Sequence, residues 1–389
     1  MRVVDTAPAS ALVDLGDWEE PFPVAFRVLF LICFGIWAWG SNLSLLAWAG
    51  IDATRLLAVG GDKGLRYTSI YQLAATFSAV AILGWCAYLA TRSDTVIGLV
   101  YAGFLLLVVN PLDGSCRRER YRFLRCVGRI FFGALGTTVH LADVILADIL
   151  TSFAKVFADL YATLCRIIVL DRMDGTASNL MTSTVYGYHW IAMLISLPYA
   201  LRFKQCLVEY VHASMAADQR RHLANALKYA SAFPVIFLSA IQQRRHRNPT
   251  APHDDPLADL LSDDLLSTVW YWRCRFAFVL LNSLYSFYWD VAIDWHLGQA
   301  GPLRHLAVAV LLRPILYFGE PLIYYTAIMM DFLLRFTWSL KLSTHLRLDE
   351  LTAGGFILEW LEVVRRWLWV YFRFEREWVA RGYAHTPTH

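Results

Sequence analysis

The sequence predicts an all-α polytopic membrane protein, and three observations predict it. First, 57% of the 389 residues are hydrophobic and only 17% are charged, where a soluble domain carries about a quarter charged residues. Second, apolar runs of spanning length recur from end to end, about nine in number. Third, Arg, Lys and Asp residues sit inside several of these runs. A charge at the centre of a bilayer costs roughly 3 kcal/mol or more, so such residues face a protein interior or a watery path.

The expected spans are 24–48, 67–91, 95–111, 128–170, 185–203, 222–243, 266–290, 313–342 and 355–376. The first is too long for a secretory h-region and suits a signal anchor. The fourth and eighth exceed one straight crossing of about 20 residues, so each is expected to tilt, break or leave the lipid. One linker-like stretch, Gln242 to Asp264, follows three arginines (Arg244, Arg245, Arg247) with prolines and aspartates. Basic residues set orientation. If the N-terminus faces away from the cytosol, stretches 49–66, 112–129, 202–222, 291–312 and 364–389 are cytosolic and hold roughly nineteen Lys and Arg, against roughly seven opposite. The segment Arg117 to Arg129 alone has six arginines. An odd number of spans then leaves the C-terminus in the cytosol.

Net charge is +3, and no basic block points to nucleic acid. The seven cysteines show neither metal-ligand spacing nor an even framework, so neither a zinc site nor disulfides are expected. No Gly-rich phosphate loop, Gly-X-Ser-X-Gly turn or His-Glu-X-X-His is present, and the expectation is a non-enzyme without metal or cofactor. His140, His189 and His212 are read as ordinary polar contacts.

The cations inside apolar runs carry the functional reading. They are Lys228, Arg335, Arg365 and Arg366, and several carboxylates fall near them at helical spacing. Asp331 and Arg335 are i and i+4, with Trp338 close behind as an apolar plug. Asp290 and Asp294 are i and i+4. Glu362 precedes Arg365 and Arg366 by three and four. Asp148, Thr151, Ser152 and Lys155 repeat at i, i+3, i+4 and i+7. A guanidinium fork meets two oxygens of an oxyanion at once, Lys228 adds a point charge, and Thr151 and Tyr229 add hydroxyl donors. Cations aimed inward from several helices imply a route for an anion. Two plainer readings stand beside this one: Arg365, Arg366, Arg373 and Lys228 snorkelling to headgroups, and Asp331–Arg335 as a structural ion pair. Asp290 and Asp294 could likewise cap or anchor a helix end.

The same residues lie in strings that resemble the EXS family of eukaryotic phosphate exporters and retrovirus receptors. The strings are LADILTS (Asp148, Thr151), LRFKQCL (201–207), NALKYASAF (225–233), LYSFYWDVAIDW (284–295), DFLLRFTWSLKLS (331–343) and EVVRRWLWVYFRFERE (362–377), preceded by NPLDGSCRRERYRFL (110–124). The resemblance implies a helical bundle with a phosphate path lined by Asp148, Thr151, Lys228, Tyr229, Arg335, Arg365 and Arg366. It implies gating or charge-partner roles for Trp338, Glu362, Asp290, Asp294 and Asp331. About 23 residues precede the first run, so the family's N-terminal SPX sensor is expected to be absent. Val208-Glu209-Tyr210 departs from the Arg-Arg-Tyr often seen there. The short architecture resembles the Golgi branch, the ER-retention-defective proteins of fungi.

The expected organisation is a luminal tail (1–23), N-terminal spans (24–111), an EXS transmembrane domain (112–378) and a cytosolic tail (379–389). The expected function is movement of inorganic phosphate from Golgi lumen to cytosol, supporting glycosylation and retention of resident proteins. The alternative is a non-transporting Golgi adaptor for retention or recycling of glycosyltransferases and ER residents. Expected partners are phosphate and membrane lipids, with glycosyltransferases, coat proteins and a second copy of the chain as further candidates.

Overall fold

The computed structural model describes residues 22–58, 66–111, 116–134, 136, 138–169, 188–247, 265–297, 312–313, 315–337 and 352–383. Helices are the regular secondary structure found among them. Helices α1 (Val24–Trp48) and α3 (Tyr67–Thr91) have 25 residues each. That is about 37 Å of helix at 1.5 Å per residue, enough for a hydrocarbon core of about 30 Å. Both coincide with the expected apolar runs. Between them the short α2 (Ala53–Leu57) begins at Asp52, whose carboxylate accepts from the amides of Thr54 at 2.9 Å and Arg55 at 3.1 Å, satisfying orphan donors of the first turn.

Helix α4 spans Asp94–Val109. It packs against α3 where Gly84 leaves no room: a β-carbon there would lie 2.2 Å from a Val100 methyl. Phe26, Leu29, Cys33, Phe77, Tyr88, Ile97 and Phe104 close the core shared by α1, α3 and α4.

The expected 128–170 span is three helices. Helix α5 (Arg117–Phe132) is basic and amphipathic rather than apolar. Its Arg118, Arg122, Arg125 and Arg129 recur every three or four residues on one face. Arg120 turns inward and donates to the carbonyls of Leu107 at 2.7 Å and Asn110 at 2.8 Å, closing the end of α4. The chain leaves the helix at Gly133 and re-enters as α6 (Leu141–Ser152), which ends at Phe153 and is followed by α7 (Ala154–Val169).

Helix α8 (Tyr188–His212) contains Pro198. Helices α9 (Ala216–Ala230) and α10 (Ala232–Arg247) meet at Ser231, whose hydroxyl lies 2.7 Å from the Lys228 carbonyl and 2.9 Å from Asn282 Oδ1. The expected linker from Gln242 is therefore helical to Arg247, and its remainder, 248–264, lies outside the described residues. Helix α11 (Leu265–Tyr288) runs into a π-helical turn, Trp289–Asp294. The expected 313–342 run begins with a non-helical stretch. Helix α12 (Pro321–Arg335) starts with proline in its first turn, where the missing N–H costs nothing. Helix α13 (Thr352–Ala380) has 29 residues.

The fold is all-α and polytopic. Among the described residues five helical stretches are long and apolar enough to cross a membrane: Val24–Trp48, Tyr67–Thr91, Trp190–His212, Ala216–Ile241 and Arg273–Asp294. The expected nine is not reached on this criterion, because α4 is short and α13 carries many charges. Helix α13 is nonetheless central. Its Trp369, Phe372, Phe374 and Trp378 pack with Leu43, Leu46, Ile51, Leu56, Trp295 and Tyr324, which places α13 against α1, α2, α12 and the π-helical turn.

Candidate functional site

Six elements bring buried charges together. Helix α6 supplies Asp148, Thr151 and Ser152. Helix α8 supplies Arg202, and α9 supplies Lys228 and Tyr229. The π-helical turn supplies Asp290 and Asp294, α12 supplies Asp331 and Arg335, and α13 supplies Glu362, Arg365 and Arg366. The breaks explain the placement. At Trp289–Asp294 the chain closes an i to i−5 bond, Trp295 N to Asp290 O at 2.9 Å, and such widened turns recur at functional positions. The turn buries Asp290 beside the cations of three helices.

Asp290 is the hub. Its Oδ1 accepts from Lys228 Nζ at 2.9 Å, and its Oδ2 accepts from Arg335 and lies 3.3 Å from Arg365 Nη1. Asp294 lies 3.8 Å from Lys228 Nζ and accepts from Trp369 Nε1 at 3.2 Å. Both aspartates therefore hold partners inside the bundle, beyond the capping role open to them in the sequence. Asp331 and Arg335 form the expected i, i+4 pair at 3.6 Å. Glu362 holds Arg365 through both oxygens, at 2.5 Å and 3.0 Å. Arg366 turns away from Glu362. Its Nε donates to Ser152 Oγ at 3.0 Å, its Nη2 to Thr151 Oγ1 at 3.1 Å, and its guanidinium stacks 4.8 Å from the Trp369 ring.

Arg365 and Arg366 are buried, at 3% and 8% exposure, so they do not snorkel, and neither does buried Lys228. Tyr229 donates to Asp148 Oδ1 at 2.5 Å, and Thr151 donates to the Asp148 carbonyl at 2.7 Å. Lys155, expected on the Asp148 face, falls past the break at Phe153. It pairs with Asp159 at 2.8 Å and Glu359 at 2.6 Å. Trp338 lies outside the described residues.

Arg202 is the member that sequence reasoning missed. It sits within LRFKQCL but near an expected span end, where it reads as a charge of the cytosolic stretch 202–222. The structure buries it at 3% exposure, with Nε donating to Asp148 at 2.8 Å and Nη1 to Gln205 at 2.6 Å. A second buried pair, Arg313–Glu375, is also new. Glu375 accepts from Arg313, from the Tyr324 hydroxyl at 2.9 Å and from the Tyr317 amide at 3.1 Å. It fixes the non-helical stretch before α12 against α13.

With Arg202 included, five cations (Arg202, Lys228, Arg335, Arg365, Arg366) face five carboxylates (Asp148, Asp290, Asp294, Asp331, Glu362). The cluster is formally neutral, which limits the desolvation cost of burying it. A cavity of about 260 Å³ reaches its edge. Its lining includes Asp148, Arg202, Trp289, Asp294, Arg373 and Arg376. No group of His, Cys, Asp and Glu among the described residues could hold a metal ion.

Fold and site together define a multi-pass helical membrane protein with an ionic cluster buried between its helices. The chain belongs to the EXS family, which it matches over residues 22–379. It is 29% identical to Protein ERD1 homolog 1 of Schizosaccharomyces pombe, over 94% of this chain and 93% of that protein. It is 26% identical to the xenotropic and polytropic retrovirus receptor 1 homolog of Danio rerio, over 93% of this chain and 51% of that protein. To human solute carrier family 53 member 1 it is 25% identical, over 94% and 51%. The chain thus spans nearly all of the fission-yeast relative and about half the length of the other two.

Proposed function

We propose that this protein conducts inorganic phosphate across a Golgi membrane, from lumen to cytosol, through the cluster on α6, α8, α9, α12, α13 and the π-helical turn. The observation that carries the reading is Arg366. It is a buried guanidinium held by two hydroxyls, and among the described residues no carboxylate pairs with it. A planar fork flanked by Ser152 and Thr151 offers donors to a tetrahedral oxyanion. The cavity lined by Arg373, Arg376, Arg202 and Asp148 borders the cluster. Balanced charge around the path keeps binding shallow, as conduction requires.

The membership in the EXS family and the likeness to a solute carrier support transport. The likeness to an ERD1 homolog over nearly its whole length supports the Golgi branch, and with it a role in glycosylation and retention of resident proteins. The loop charges support a luminal N-terminus and a cytosolic C-terminus, and in that orientation Arg373 and Arg376, near the end of α13, belong to the cytosolic side.

The test is flux of labelled phosphate from vesicles containing purified protein. Wild type is expected to release phosphate, and Arg366→Ala to release at least tenfold less. Wild-type vesicles no leakier to phosphate than protein-free ones would refute transport. The adaptor reading would then gain ground if retention of resident enzymes survived Lys228→Met and Arg335→Met but failed on changes in α5.

A further inference from the structure

We propose that Asp331 selects hydrogen phosphate against fully deprotonated tetrahedral anions by accepting a hydrogen bond from the ligand's P–OH. The proposal rests on the phosphate reading above and adds to it the residue that sets specificity.

Asp331 is wholly buried, at 0% exposure. Its Oδ2 accepts no hydrogen bond from the described residues, and neither does Arg335 Nε donate one. These two unmet atoms are 3.6 Å apart. Asp331 Oδ1 is little better served, with Arg365 Nη1 at 3.5 Å. The contrast with Asp290 is sharp, since that carboxylate takes Lys228, Arg335 and Arg365. Buried polar groups are nearly always hydrogen-bonded, and here the acceptor and donor atoms of one ion pair, 3.6 Å apart, each lack a hydrogen bond.

The two atoms ask for a ligand that both accepts and donates. Hydrogen phosphate does so: a bare oxygen meets Arg335 Nε, and its hydroxyl meets Asp331 Oδ2. Phosphate keeps at least one P–OH at neutral pH, as its trianion is negligible there. Sulfate has the same tetrahedral shape and a charge of −2, but it presents lone pairs on every face, so one of them would point at a buried carboxylate. Charge alone does not separate two dianions; a directed acceptor does. Sites built to bond a hydroxyl reject analogues that lack it by large factors.

The experiment is competition against labelled phosphate flux in vesicles containing the purified full chain, at fixed pH and salt. The competitors are arsenate, which keeps a hydroxyl, and sulfate and monofluorophosphate, which do not. In wild type, arsenate is expected to compete at concentrations comparable to phosphate, and sulfate and monofluorophosphate only at concentrations tenfold or more higher. In Asp331→Asn the amide can donate, so sulfate competition is expected to strengthen about tenfold relative to arsenate. Equal competition by all three anions in wild type overturns the proposal. So does an Asp331→Asn protein that carries phosphate with wild-type discrimination. If that variant does not assemble, the wild-type series alone decides. Absence of any phosphate flux in wild type refutes the transport reading instead, which separates the two failures.

Discussion

Arg366 Nε lies 3.0 Å from Ser152 Oγ, and the same hydroxyl donates to Glu362 Oε1 at 2.9 Å. Ser152 thereby stands between a buried cation and the nearest acid of its own helix. An arriving anion can take the guanidinium without first breaking a salt bridge. Ser152→Ala should lower phosphate flux several-fold while leaving the protein folded, since a hydrogen bond to a charged group contributes about 1.5–3 kcal/mol. Flux measured in vesicles alongside thermal unfolding in detergent checks both halves. An unchanged flux would remove Ser152 from the site.

Arg202 and Asp148 form a pair in which each is the other's main compensation. Arg202→Met leaves Asp148 with Tyr229 as its close partner, and a broken buried pair typically costs about 3–5 kcal/mol. The single variant should unfold at clearly lower temperature than wild type. The double variant Arg202→Met with Asp148→Asn should recover a good part of the loss, because no uncompensated charge remains. A double variant no more stable than Arg202→Met alone would show that the pair is not coupled in this way.

Glu375→Gln addresses the second buried pair. Glu375 serves Arg313 and the Tyr317 amide on the stretch that leads into α12, and Tyr324 in the first turns of α12 itself. The expected result is lower stability, by about 3 kcal/mol or more, with the preference for phosphate over sulfate unchanged in the protein that remains folded. A changed preference would place this pair on the anion path.

Gly84 tests the contact of α3 with α4. Gly84→Ala puts a β-carbon 2.2 Å from Val100 Cγ2, and overpacking of this kind costs about 1–3 kcal/mol. Val100→Ala on the same chain should restore most of the lost thermal stability. Both helices lie away from the ionic cluster, so flux per folded molecule should not move.

The charged site was largely legible in the sequence because bilayer physics makes it so. A cation in an apolar run has few places to go, and Lys228, Arg335, Arg365 and Arg366 all point inward. Helical spacing also gave the local pairs Asp331–Arg335 and Glu362–Arg365. Spacing failed where the helix did. Asp148 and Lys155 are seven apart but separated by the break at Phe153, so Lys155 joins Asp159 and Glu359 instead. The basic α5 was partly absorbed into a span because its last residues, Ile130 to Phe132, are apolar. Arg202 escaped because a charge near the end of a hydrophobic run reads as a loop charge until packing buries it.

By itself the sequence determined the solvent this chain is built for and which charges had to be sheltered, because apolar length and the cost of a bare charge in lipid are properties of segments. Partner choice was decided by the tertiary structure alone. Asp290 binds cations from α9, α12 and α13, and Arg366 finds hydroxyls on α6 rather than the acid one turn away. Such pairings depend on where separate helices bend and how closely they approach, and neither is written in the spacing of residues along one of them.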